Sequence, residues 1–121
     1  MWYNQTDIKE MEGKTFTRVF EGDDTLIFEN DQDRYIFYHS QDCCESVYIE
    51  SIVGDLDDLV GVPLLLSEEV SSDDGPLHDY EDSYTWTFYK FATIKGYVDV
   101  RWYGSSNGYY SESVSLRKEA A

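Results

Sequence analysis

Hydrophobic and polar residues alternate with a period of two along the first third of the chain. Thr15 to Phe20 and Thr25 to Glu29 are β-rich runs separated by Glu21-Gly22-Asp23-Asp24, and together they predict a hairpin. Arg34 to His39 follows the turn-forming Asn30-Asp31-Gln32-Asp33 and predicts the third strand of a meander. From Glu45 to Leu59 the alternation lapses. Tyr48, Ile52, Leu56 and Leu59 recur at intervals of four and three, the spacing of one apolar helix face, with Glu50, Asp55 and Asp58 turned to solvent. This predicts a short helix after Cys44, either continuous or broken near Gly54, a residue that costs a helix about 1 kcal/mol relative to Ala. Gly61 and Pro63 supply its stop.

Leu64 to Val70 predicts a strand that leads into Ser71 to Asp82, a polar loop containing Gly75-Pro76. The strongest β signal comes last. Tyr84 to Phe91 and Tyr97 to Tyr103 are joined through Ala92 to Gly96; Thr85, Thr87 and Tyr89 share one face, and Trp86, Phe88 and Lys90 the other. Val98, Val100 and Trp102 oppose Asp99 and Arg101 in the partner strand. Gly104 to Gly108 is a turn before a last strand, Tyr109 to Leu116. With no internal repeat and no linker, the pattern predicts one α+β domain. It would hold an antiparallel twisted sheet of about six to seven strands and one short helix, with residues 1–13 as a flexible or short helical arm.

Composition narrows the function. The 121 residues include 25 acidic and 9 basic side chains, a net charge of −16 at pH 7, and 17% aromatics. The length suits one domain with a sizeable core, and the aromatic content excludes a disordered acidic chain. Nucleic acid and anionic membranes both demand Lys and Arg, so neither is expected as a partner. No apolar run approaches the ~18 residues of a membrane span, and the first residues carry no secretory pattern. The only two cysteines are adjacent rather than spaced in pairs. Disulfide stapling is therefore not expected, and a cytosolic location is.

The charge is concentrated. No Lys or Arg occurs from Tyr35 to Tyr89, and thirteen acids fall within that stretch, from Asp42 to Asp82. The two ends together carry only −3. A solvated acidic surface keeps a small protein soluble, which is the plainer account. The sharper one is that carboxylates held on a rigid scaffold imitate nucleic-acid phosphates and occupy a basic groove on another protein.

Other constellations carry less. Cys43-Cys44 with His39 invites a metal or thiol-nucleophile reading, but neighbouring side chains in an extended chain point to opposite sides, and zinc sites use spaced cysteines. Asp55-Leu56-Asp57-Asp58 and Asp73-Asp74 do not fit the alternating calcium loop, and acids at a helix start complement its dipole. No metal site is expected. Arg101, Trp102, Tyr103, Asn107 and Tyr109 surround a Ser-, Asn- and Tyr-rich turn that could line a small-ligand pocket, with rings stacking a base and Arg101 taking a phosphate. No glycine-rich phosphate loop accompanies them.

Two stretches belong together: His39-Ser40-Gln41-Asp42-Cys43-Cys44-Glu45-Ser46-Val47-Tyr48-Ile49-Glu50, and Trp86-Thr87-Phe88-Tyr89-Lys90 with Arg101-Trp102-Tyr103-Gly104-Ser105-Ser106-Asn107-Gly108-Tyr109-Tyr110-Ser111. The pairing resembles a family of small uncharacterised proteins of bacteriophages and their bacterial hosts, over roughly residues 14–116. The resemblance implies no catalytic residues and no cofactor. It implies a cytosolic phage accessory protein, a class rich in inhibitors of host defence such as anti-CRISPR proteins. The leading expectation is a non-enzymatic inhibitor that binds a basic host nuclease or nucleic-acid-binding protein through Asp55, Asp57, Asp58, Glu68, Glu69, Asp73 and Asp74. The alternative is a module sequestering a nucleotide signal at Arg101, Trp102, Tyr103, Asn107 and Tyr109.

Overall fold

The computed structural model describes residues 6–72, 83–108 and 110–121, and there the expected α+β architecture gives way to an all-β one. Eight strands form two four-stranded antiparallel sheets. The first runs β1 (Arg18–Gly22), β2 (Thr25–Glu29), β3 (Asp33–Tyr38) and β8 (Ser115–Ala120) in that spatial order. The second is ordered β4 (Ser46–Val53), β7 (Gly96–Ser106), β6 (Ser83–Thr93) and β5 (Leu66–Ser72). Helical structure among the described residues is confined to two 3₁₀ turns, Ile8–Met11 and Leu56–Leu59.

The predicted meander forms, with Gly22 opposite Thr25 at its first turn and Glu29 opposite Arg34 at its second. Asn30 closes that second turn by accepting from the backbone N–H groups of Gln32 and Asp33 at 2.9 and 2.8 Å. The helix expected after Cys44 is instead β4, and a bulge explains the misleading spacing. Ile49 pairs with Trp102 and Ser51 with Arg101, which leaves Glu50 as an extra residue. Val47 and Ile49 face the core before the bulge and Ile52 faces it afterwards. Tyr48 therefore faces outward and Ile52 inward, so the four-residue spacing between them marks no common face. Val47, Ile49, Ile52 and Val53 are β-branched, which favours the strand. Gly54 then turns the chain at φ 110°, where a Cβ would stand 2.6 Å from the Tyr97 carbonyl oxygen. Only the end of the predicted helix is helical, as the 3₁₀ turn Leu56–Leu59.

The sheets pack face to face. Phe28 meets Phe91 at 4.8 Å between ring centroids and Phe37 meets Tyr89 at 4.7 Å, while Phe16 sets its edge against Phe28 and Tyr35. Each such side chain withdrawn from water contributes about 1.5–3 kcal/mol, and the offset aromatic geometry adds to it. Met11 is fully buried, so the Ile8–Met11 turn is tied to this core. The last strand starts later than expected. Residues 111–114 are irregular and β8 pairs with β3 from Ser115 onward.

Candidate functional site

Asp55 begins the acidic turn. Its backbone is extended and its carboxylate accepts from the Asp57 N–H at 2.9 Å, capping the turn that Leu59, wholly buried, anchors in the core. Anchoring one apolar side of so short a turn leaves Asp55 and Asp57 exposed and Asp58 half-exposed. The Asp58 carbonyl accepts from Thr93 Oγ1 at 2.5 Å, and a Cβ on Gly96 would lie 3.0 Å from Asp58 Oδ2, so the turn rests on the β6–β7 hairpin. Lys95 of that hairpin donates to the Val60 carbonyl at 2.8 Å. Among the described residues none of these three carboxylates makes an ion pair.

The other predicted acids lie elsewhere. Glu68 stands opposite Lys90, and Glu69 opposite Tyr89, so strand alternation sends them to opposite faces of the second sheet. The Tyr89 hydroxyl donates to Glu69 at 3.2 Å; burial first, then the Glu69 charge, pushes its pKa up. Asp73 and Asp74 lie outside the described residues. Pairing also brings cations to a stretch that has none in sequence: Arg101 binds Glu50 at 2.6–2.7 Å, and Lys90 sits between Glu68 and Asp99 on neighbouring strands. Among the described acids of this stretch Asp42, Asp55, Asp57, Asp58, Glu68 and Glu69 make no ion pair, and three of them, Asp55, Asp57 and Asp58, lie together on one turn.

The outer face of the second sheet carries a groove of about 260 Å³ between Ser51, Val53, Phe88, Lys90, Asp99 and Arg101. Beside it Arg101 covers the Trp86 ring at 5.1 Å, and Trp86 packs against Tyr103 at 4.5 Å. Alternation splits the proposed aromatic pocket. Arg101 and Tyr103 face outward, whereas Trp102 faces the core at 1% exposure, its Nε1 without a hydrogen-bond partner among the described residues. Asn107 is exposed in the following turn, and Tyr109 lies outside the described residues. Of the four described residues, Arg101 and Tyr103 share the outer face and Trp102 lies on the opposite one. Near that turn Glu112, which no pattern in the sequence marks, is buried and accepts from Thr85 Oγ1 at 2.8 Å and Ser106 Oγ at 2.6 Å.

A second buried carboxylate was equally silent. Glu45 accepts from the backbone N–H groups of Asp42 and Cys43 at 2.8 and 2.9 Å and contacts His39 Nε2 at 2.7 Å. These bonds, led by that from Cys43, hold its pKa down to about 2. His39 Nδ1 lies 2.8 Å from the Ser113 carbonyl, so the ring bridges Glu45 and Ser113. The knot thereby ties the 40–45 loop to the segment before β8. Within the loop Cys43 and Cys44 are joined to each other. Such a bridge encloses no intervening chain and so cross-links no part of the fold to another. Among the described residues no three His, Cys, Asp or Glu side chains converge to hold a metal ion.

Two four-stranded antiparallel sheets packed face to face define a β-sandwich, with a capped acidic turn and a groove on the outer face of the second sheet. The chain belongs to the family described as a domain of unknown function, DUF7448, whose model matches residues 9–116. No curated protein and no solved structure matches it. No helix among the described residues is long and apolar enough to cross a membrane.

Proposed function

We propose that this protein is a non-enzymatic inhibitor of the kind phages direct against host defence, acting in the host cytosol on a basic nuclease or nucleic-acid-binding protein. The observation that carries the reading is the Asp55–Asp58 turn: three carboxylates on a rigid, core-anchored element, none neutralised by a cation of the described residues, whereas Glu29, Glu45 and Glu50 are all paired. Carboxylates held in this way present the field of a short phosphate run without the entropy cost of ordering a flexible tail. Placement on the Leu59 anchor keeps them fixed when a basic surface approaches.

The triple variant Asp55→Asn, Asp57→Asn, Asp58→Asn tests this. Asn retains the cap at position 55, so the fold is kept and only charge is removed. Affinity capture from a bacterial host lysate, at low and at high salt, should return a basic protein with the wild type at low salt and lose it with the variant. Capture of the same partner by both proteins, unaffected by salt, would overturn the reading.

A further inference from the structure

We infer that the acidic turn is the rim of a larger contact, whose centre is the groove on the outer face of the second sheet and the apolar residues that border it. Its occupant is an apolar or aromatic anchor side chain flanked by Lys or Arg on a basic polypeptide. This rests on the acidic contact proposed above and identifies what lies beside it. The three most exposed large apolar residues among the described ones lie toward the β6–β7 hairpin end of this sheet: Val53, Ile94 and Tyr97, exposed by 62, 78 and 71%. Their neighbourhood is fixed by register and contact. Val53 stands opposite Asp99, a Cβ on Gly54 would lie 2.6 Å from the Tyr97 carbonyl oxygen, and one on Gly96 would lie 3.0 Å from Asp58 Oδ2. Val53 and Asp99 also line the groove, and Val53 precedes Asp55 by two residues, so the apolar border adjoins the groove on one side and the start of the acidic turn on the other.

Charge decides the class of occupant. Lys90 and Arg101 line the groove, which at first favours an anion such as a nucleotide. Arg101 is held by Glu50, however, and Lys90 lies between Glu68 and Asp99. With Asp55, Asp57 and Asp58 adjacent, the surroundings are net negative and repel phosphate while attracting Lys and Arg. Apolar anchors in a half-polar groove with charges at the rim are the usual distribution of binding energy at a protein contact.

The test uses two synthetic peptides of equal positive charge, one with a central Trp and one with Ser in its place. They are titrated into the whole ¹⁵N-labelled protein while amide shifts are followed. The Trp peptide should bind about tenfold more tightly, moving the resonances of Val53, Ile94, Tyr97 and Asp99. Val53→Ser with Tyr97→Ser, both at exposed positions, should erase that tenfold difference and leave the Ser peptide's affinity unchanged. Equal affinity of the two peptides for the wild type, or shifts confined to another face, would overturn the groove while sparing the acidic contact. Failure of both peptides to bind would overturn both.

Discussion

Single carboxylates act here in opposite ways, set by what donates to them. Glu45 is stabilised as an anion by two backbone N–H groups and His39, so its pKa falls from 4.5 to about 2. A carboxyl whose folded pKa lies below its unfolded value stabilises the fold above the unfolded value. That stabilisation disappears as the pH falls from 4.5 through about 2. Thermal melts of the wild type and Glu45→Gln should therefore differ most near neutral pH, the variant being less stable, and the gap should close across that window. A constant gap would mean that the carboxylate's charge is irrelevant. Asp55 works through geometry instead, because its oxygen caps the Leu56–Leu59 turn. Asp55→Ala should cost about 1 kcal/mol in denaturant unfolding and Asp55→Asn only a few tenths.

At the scale of elements, the parts that pair with their sequence neighbours were the legible ones. The β1–β2–β3 meander and the β6–β7 hairpin follow from alternation and turn residues. What periodicity could not reveal was β4, because a residue inserted at Glu50 shifts the phase by one and breaks the strand's alternation. Nor could it reveal β8 closing the first sheet, since that pairing spans the whole chain. The site suffered in the same way. Asp55, Asp57 and Asp58 were readable as a local cluster, but neutralisation of Glu50 by Arg101 and the burial of Glu45 and Glu112 depend on contacts with distant or irregular segments. Gly104 tests how tightly one such segment is fitted. A Cβ there would stand 2.6 Å from the Glu112 carbonyl oxygen and 2.9 Å from its Cβ. Gly104→Ala should thus destabilise by about 1–3 kcal/mol in denaturant unfolding, as overpacking does. An unchanged midpoint would show that residues 111–114 are free to shift.

For the molecule as a whole, sixteen excess negative charges within a radius of gyration of about 14 Å repel one another, and folding brings them closer. Added salt weakens that repulsion, and it also weakens attractive surface pairs such as Arg34–Glu119 and Lys118–Glu10. Magnitudes settle which effect wins. An exposed pair contributes about 0–1 kcal/mol, whereas the summed repulsion of so unbalanced a chain amounts to roughly several kcal/mol at low ionic strength. The melting temperature should therefore rise between about 0.02 and about 0.5 M NaCl, as the screening length falls from roughly 20 Å to a few ångströms. The variant carrying Asn at positions 55, 57 and 58 has a net charge of −13 and should start higher and rise less. Binding of a basic partner should move the other way, weakening over the same range because salt screens attraction between the two proteins. A wild-type melting temperature that falls with salt would mean that local ion pairs, not the overall charge, govern this fold's electrostatics.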